Sequence, residues 1–402
     1  MSDFDVAIVG GSLAGSLCAD LLGRYGFKVV LFEPEEFPRR KACGEGLSIL
    51  AKHLLELAGI WSDKLEGESQ PFYGYLFQIE NGRTIPLNCC DDAGSPQGFG
   101  ISRIVLDNQV YKEATSLRSV ELVKERVKRF YNENGRVEIL TEGAKFNADS
   151  LVLACGGAIS ALVNSELADP VEVDRPHHSR RFGAAFWFRG AWKDEISRHI
   201  ILQNTSNSQL ILTPLGPDRV NLSCLVSSRT NESTARLDRG DLAELGSRLA
   251  RRHGFEISEV LDYRGASDIS SYRLKGVPQN IFVIGDSIER FDPVGGMGMA
   301  HAAVSALAAV AALRGHFEGG LDLNQQWREY MELRESAAKY LRWQTKLGYC
   351  LTVRQNLYVK VLAEFLPGFG ASILKLLRLG FQGKTARLKR TLFGELEEAF
   401  AY

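Results

Sequence analysis

The chain has 402 residues, 45% of them hydrophobic and 24% charged, with a formal net charge of −1 at pH 7. At about 150 residues per domain this length suggests two to three domains. The composition excludes a mostly disordered or fibrous chain, and the balanced charge gives no reason to expect a nucleic-acid partner.

Residues 5–33 read as one βαβ unit. Asp5 to Val9 is a short apolar strand, Gly10-Gly11-Ser12-Leu13-Ala14-Gly15 a glycine-rich turn, and Ser16 to Tyr25 a helix carrying Leu17, Leu21 and Leu22. Gly26 stands where a helix ends, and Lys28 to Glu33 forms the second strand. Residues 121–155 read as a β-ribbon: Arg126 to Tyr131, a turn at Asn134-Gly135, Arg136 to Leu140, then Ser150 to Ala154. Further strands are expected at Phe182 to Phe188, His199 to Leu202, Leu210 to Thr213 and Val220 to Leu225. A fully apolar strand at 281–284 runs into Gly285-Asp286, a small-residue helix follows over Ala300 to Leu313, and from Leu323 the pattern is helical. No run reaches about 18 apolar residues, so no membrane span is expected, and the N-terminus lacks the basic region of a signal peptide. Seven cysteines at 18, 43, 89, 90, 155, 224 and 350 are few and odd in number. That suits a reducing, cytoplasmic setting better than a disulfide framework. The adjacent Cys89-Cys90 has neither metal nor redox spacing, and no His/Cys/Asp/Glu set has metal spacing.

Two motifs carry chemistry. In the opening turn Gly10 and Gly15 fill the tight-turn and helix-packing roles of a dinucleotide fingerprint, and Ser12 stands where a second glycine lets backbone approach a diphosphate. The amides of Leu13, Ala14 and Gly15 then open a helix whose N-terminus faces that diphosphate. Glu33 ends the second strand, where an acid takes ribose hydroxyls. The second motif runs from Phe282 through Gly285-Asp286 to Pro293-Val294-Gly295-Gly296-Met297-Gly298-Met299. Its Asp is placed for a ribityl hydroxyl, and its glycine amides for the negative charge of a flavin ring.

Together these motifs resemble the flavoprotein monooxygenase and geranylgeranyl reductase superfamily, whose members share the FAD fold of p-hydroxybenzoate hydroxylase; the resemblance covers roughly residues 3–315. Lys41-Ala42-Cys43-Gly44-Glu45-Gly46-Leu47-Ser48 is similar to the loop that covers FAD in that family. Gly100-Ile101-Ser102-Arg103 with Leu106-Asp107 is similar to a segment whose Arg lies along the FAD diphosphate and ribityl chain. A third family motif is altered: in the stretch Cys155 to Val163, Gly156 replaces its Asp and Val163 its Arg. This departs from the hydroxylases' handling of nicotinamide, and the β-ribbon before Gly156-Gly157 argues against a second dinucleotide turn. Where geranylgeranyl reductases show an aromatic strand, this chain has Leu210-Ile211-Leu212-Thr213-Pro214.

The resemblance implies an α/β fold: a Rossmann-like FAD-binding domain over 1–70, 95–165 and 270–320, a β-sheet substrate domain over 71–94 and 166–269, and a helical C-terminal segment over 321–402. It implies an FAD-dependent monooxygenase that places one oxygen from O2, through a flavin C4a-hydroperoxide, on an apolar or aromatic substrate. The electron donor is NADH, NADPH or a reductase. Prenyl-chain reductase, halogenase and non-catalytic flavin-binding protein are the rival readings. Phe186, Trp187, Phe188, Leu210, Leu212 and Pro214 are the candidate substrate contacts, on strands that either line a pocket or fill a core. His177-His178 beside Arg180-Arg181 reads as a solvated loop rather than a metal or anion site. From Phe365 to Gly394 there is no acidic residue, while Lys375, Arg378, Lys384, Arg387, Lys389 and Arg390 are basic. This tail either packs on its own domain or meets an acidic carrier or substrate protein or an anionic membrane surface.

Overall fold

Val6 to Val9 are apolar at every position, so their strand needs cover on both faces, and all four residues are buried. The computed structural model describes residues 3–352 apart from 79–83, 89–93, 134–135, 160–161, 163–171, 175–180, 205–207, 228–238, 267, 278–280 and 321. The Asn134-Gly135 turn, Cys89-Cys90, Val163, His177-His178 and the basic tail therefore lie outside the described residues.

The chain opens with β1 (Phe4–Val9), α1 (Leu13–Arg24), β2 (Val29–Phe32), β3 (Gly46–Ser48), α2 (Ile49–Leu57), α3 (Asp63–Gly67), β4 (Gln70–Phe72), β5 (Gly74–Gln78), β6 (Thr84–Asn88), β7 (Gly98–Gly100) and α4 (Arg103–Ser116). There follow β8 (Val120–Val123), β9 (Arg129–Glu133), β10 (Arg136–Leu140), β11 (Lys145–Leu153), β12 (Glu172–Asp174), β13 (Arg181–Trp192), β14 (His199–Asn204), β15 (Ser208–Pro214), β16 (Arg219–Ser227), α5 (Arg239–Arg252) and β17 (Phe255–Ala266). The described part closes with β18 (Tyr272–Lys275), β19 (Ile281–Val283), β20 (Glu289–Arg290), α6 (Gly298–Gly319) and α7 (Leu323–Thr352).

The first sheet has the order β8-β2-β1-β11-β10-β9. Its β8, β2, β1 and β11 are parallel, and β10 and β9 continue it as an antiparallel ribbon. One edge of β11 carries β10 at Lys145–Ala148 and then β19 at Leu151–Leu153. Alternation divides the strands: Val6, Ile8, Val29 and Leu31 pack with the helices, while Ala7, Val9, Val30 and Phe32 pack with Ile281 and Val283. The helix side is filled by the alanines of α6, whose small side chains let it lie close to α1. The stretch Gly298–Gly315 has a mean hydropathy of 1.3, long and apolar enough to cross a membrane. It contains the small-residue helix expected at Ala300 to Leu313, and 72% of it is buried inside the molecule as a core helix.

The second sheet has the order β17-β13-β16-β15-β14-β5-β6. One face, with Phe186, Phe188, Leu210, Leu212, Leu222 and Phe255, is covered by Leu242, Leu249 and Ala250 of α5. Arg181, at the start of β13, reaches out of this sheet to Asp292, at 2.9 Å, with both side chains buried. Asp292 also accepts the amide of Val294, so it holds the glycine segment in place at the same time.

Several elements differ from the sequence reading. Val120–Val123 is not part of a ribbon but the parallel edge strand beside β2. Helix α5 and strand β17 were not foreseen, because β17 is largely exposed and shows no clean alternation. Helix α6 runs on to Gly319, six residues beyond the expected Leu313.

The Arg181–Asp292 pair yields a prediction. Replacing Asp292 by Ala leaves a buried guanidinium unanswered and lowers unfolding free energy by about 3–5 kcal/mol, measured by urea denaturation. A loss below about 1 kcal/mol, the size of an exposed pair, would show that the charge finds water.

Candidate functional site

The β1–α1 turn has the close contacts that a dinucleotide fingerprint requires. Gly10 has φ +106°, and a Cβ there would lie 2.6 Å from the Ala154 carbonyl oxygen. At Gly15 a Cβ would lie 1.8 Å from the carbonyl oxygen of Gly10, and at Gly11 one would meet Glu33 at 2.9 Å. Ser12 is the N-cap of α1 but gives no side-chain cap. The first-turn amides of Leu13, Ala14 and Gly15 therefore remain available to an anion. Buried Glu33 accepts the amide of Gly11 through Oε2 at 2.8 Å and that of Glu35 through Oε1 at 2.9 Å.

The second motif meets the first in space. Gly285 has φ +59°, donates to Ser305 Oγ at 2.8 Å, and a Cβ on it would lie 3.1 Å from Cβ of Ala14. Asp286 is half-buried beside it. Pro293 starts a 3-10 turn that ends at Gly295, and Gly296 follows with φ +64°. Gly296 and Gly298 face open space, whereas Gly295 is pressed against Thr345 of α7. Met297 and Met299 turn their side chains into the first core. Gly156, in the altered third motif, donates to Ser287 Oγ at 2.7 Å and so abuts the same segment.

Arg103 ties the first turn to the Lys41–Gly46 loop and α4. It is 5% exposed and forms two bonds to Asp107, Nε to Oδ1 at 2.6 Å and Nη2 to Oδ2 at 2.7 Å. It also donates to Ser12 Oγ at 3.3 Å and to Cys43 Sγ at 3.8 Å, and Ser12 in turn donates to Asp107 at 3.0 Å. Neighbouring Asp107 holds the guanidinium firmly charged. The loop with Lys41, Cys43 and Gly44 is thus tied to the first turn, and Gly44 lies over Ser223 of the second sheet.

Sequence reasoning gave Glu45 no role, yet it is the best-connected side chain of the loop. It is 1% exposed and accepts Arg103 N–H at 2.8 Å, Ser102 Oγ–H at 3.3 Å and Trp187 Nε1–H at 2.7 Å. Burial raises its pKa to about 7 against the pull of those donors. Cys155 and Cys224 are pushed up to about 11 and 12 by burial, so neither is a thiolate nucleophile.

The candidate substrate contacts separate by strand alternation. Phe186, Phe188, Leu210 and Leu212 belong to the core under α5, so of the two readings left open for them the structure supports core and not pocket lining. Pro214 is buried at the end of the same strand, its carbonyl against Gly100. Trp187 points the other way, toward Glu45. Its cross-strand neighbour Asn221, and Thr213 beyond it, share that face, and Asn221 Nδ2 and Thr213 Oγ1 are buried without a hydrogen-bond partner among the described residues.

The parts present fit FAD: a glycine turn closed to any Cβ, an acid at the end of β2, free amides at α1, and open backbone at Gly296 and Gly298. Glu33→Ala removes the acid meant for the ribose and raises the FAD dissociation constant about 5- to 150-fold, the equivalent of about 1–3 kcal/mol. Fluorescence titration of apoprotein measures it, and an unchanged constant would remove Glu33 from the site.

Known proteins agree with this geometry. The chain is 32% identical over 120 residues to conditioned medium factor receptor 1 of Dictyostelium discoideum, a match covering 28% of this chain. It spans 24% of that receptor's length and 37% of the menaquinone reductases of Mycobacterium tuberculosis that it also matches. With digeranylgeranylglycerophospholipid reductase of Thermoplasma acidophilum it shares 24% identity over 363 residues, 83% of each chain. Its backbone superposes on p-nitrophenol 4-monooxygenase PnpA of Pseudomonas putida with a TM-score of 0.74 at 16% identity, over 96% of this chain and 99% of that one. Flavin-dependent halogenases share the fold as well. The family description "FAD binding domain" matches residues 3–338, from the first strand to α7. This chain belongs to the FAD binding domain family.

Proposed function

We propose that the protein is a monooxygenase, acting on an organic substrate held between the second sheet and the Lys41–Gly46 loop. The observation that carries this reading is the buried contact between the two. Glu45 and Trp187 are 1% and 2% exposed, and Thr213 and Asn221 are fully buried. Oxygen transfer needs a site closed to water, and a sheet face sealed against the cofactor loop supplies one. FAD, when bound, supplies the electron transfer and the activation of O2. The chain's residues do the rest. Glu33, the α1 amides and Asp286 bind the cofactor, Arg103 and Asp107 hold the turn and loop together, and the second sheet excludes water.

The unpartnered Thr213 Oγ1 and Asn221 Nδ2 support a substrate that brings a hydrogen-bonding group along with its apolar body, since buried polar atoms left unpaired cost free energy. Residues 1–70, 95–165 and 270–320 would then form the cofactor part, 71–94 and 166–269 the substrate part and 321–402 the helical closure. The basic tail supports delivery of the substrate by an acidic carrier. Reduction of double bonds is the second reading, favoured by the match to the Thermoplasma reductase over 83% of each chain. The aliphatic Leu210, Ile211 and Leu212 in place of an aromatic strand weigh against it.

The test follows O2 uptake and product mass with holoenzyme, NADH or NADPH, and a panel of free and carrier-bound aromatic and prenyl compounds. Gain of one oxygen atom, traced from labelled O2, is the expected result. Gain of two hydrogens without O2 uptake would overturn it in favour of the reductase. Because Gly156 replaces the third motif's Asp, reduction by nicotinamide without substrate should be slow. Fast, saturable NADPH oxidation by holoenzyme alone would contradict this.

A further inference from the structure

Glu45 is the one non-glycine residue with positive φ, 55°, among the described residues. An L-residue rarely takes that conformation unless its surroundings hold it there. Three contacts do so. The Glu45 amide lies on Cys43 Sγ at 3.4 Å, its carbonyl accepts Ile101 N–H at 3.0 Å, and its carboxylate spans from the start of α4 to β13. Trp187 is gripped twice by the same loop, by Glu45 at the indole N–H and by the Arg40 guanidinium 4.7 Å over the ring. Arg40 is itself ion-paired to Asp262 at 3.2 Å, the cross-strand neighbour of Trp187.

The donors around the carboxylate decide what this position accepts. Trp187 Nε1–H and Arg103 N–H can only donate, and they address opposite oxygens. An amide offers one acceptor and one donor end, so Gln leaves one of the two facing another donor. A carboxyl proton has one place to go, Ser102 Oγ, which already accepts Ile104 N–H as the cap of α4.

We propose that Glu45 is a positioning residue, a latch that clamps the cofactor-side loop Lys41–Gly46 onto Trp187 of the second sheet, and that a proton on its carboxylate, which stays buried, loosens the Trp187 contact alone. Loosening follows because bonds to an ionised acceptor are stronger than bonds to a neutral one. The charges facing Glu45 are Arg40 from its own loop and Arg103 from α4, the latter answered by Asp107; the second sheet adds Asp262, with Arg264 and Arg219 beyond Arg40. This inference needs only the FAD-binding fold and not the monooxygenase reading.

The sign of the linkage is set by the raised pKa. Between the usual carboxylate range and about 7 the folded chain holds a proton that the unfolded chain has lost. Stability therefore falls as pH rises through that window and levels off above it. Urea denaturation of the apoprotein across that range measures the slope; Glu45→Gln removes Glu45's share and leaves that of Asp20, which burial raises to about 6. In holoprotein, FAD affinity and the visible flavin spectrum should show a one-proton step near pH 7, absent in Glu45→Gln. Trp187→Phe deletes a donor that favours the ionised form, so it should move the step to higher pH. The double variant should bind FAD no more weakly than the weaker single variant, as expected for two ends of one contact. Unchanged pH profiles in Glu45→Gln and Trp187→Phe, or additive losses, would overturn the latch. If Glu45→Gln fails to fold, the direction of the Trp187→Phe shift still decides. Wild-type protein that binds no FAD but keeps the apoprotein slope would count against the cofactor assignment and leave the latch standing.

Discussion

A guanidinium taken out of water must have its charge answered, and Arg103 is buried where the first turn, the Lys41–Gly46 loop and α4 meet. Asp107, one turn further along α4, answers it with two bonds. The remaining N–H groups then reach outward to Ser12 in the first turn and Cys43 in the loop. A single ion pair thus fixes three segments that are distant in sequence. Buried ion pairs contribute little net stability against an apolar replacement. What this one contributes is registration, because the geometry of the pair admits one arrangement of turn, loop and helix.

Close packing of backbone on backbone supplies the second constraint. Gly10 against Ala154 and Gly15 against Gly10 bring β1, α1 and β11 to distances that no side chain would allow, and Gly285 packs tightly on Cβ of Ala14. The first and last parts of the FAD-binding half are therefore packed directly on one another. The alanines of α6 extend the same logic into the core, where small residues let α6 approach α1.

The second sheet shows how one strand serves two purposes. In β13 the residues at even positions, Phe186 and Phe188, build a core with α5, and the odd position 187 meets the cofactor loop. A shift of one residue in register would exchange these faces, so the β13–β16 pairing determines which side chain reaches the site. The polar row of Trp187, Asn221 and Thr213 is a consequence of that register, not of any local motif.

The sequence alone determined the first βαβ unit, the close packing at Gly10 and Gly15, the acid at the end of β2, and the strand leading into Gly285-Asp286, because their signals are local. Glycine spacing, apolar runs and a terminal acid are read within about thirty residues. The small-residue helix and most strands of the second sheet were legible for the same reason, through periodicity. Tertiary structure decided what depends on contacts between distant segments. The exposed and irregular β17 has no pattern to announce it. Phe186, Phe188, Leu210 and Leu212 look like pocket or core equally well until α5 is seen to cover them. Glu45 reads as one more charged loop residue until Trp187, 142 positions later, places an indole N–H on its carboxylate. A hydrogen bond between segments so far apart leaves no periodic trace in either, and only the folded chain brings them together.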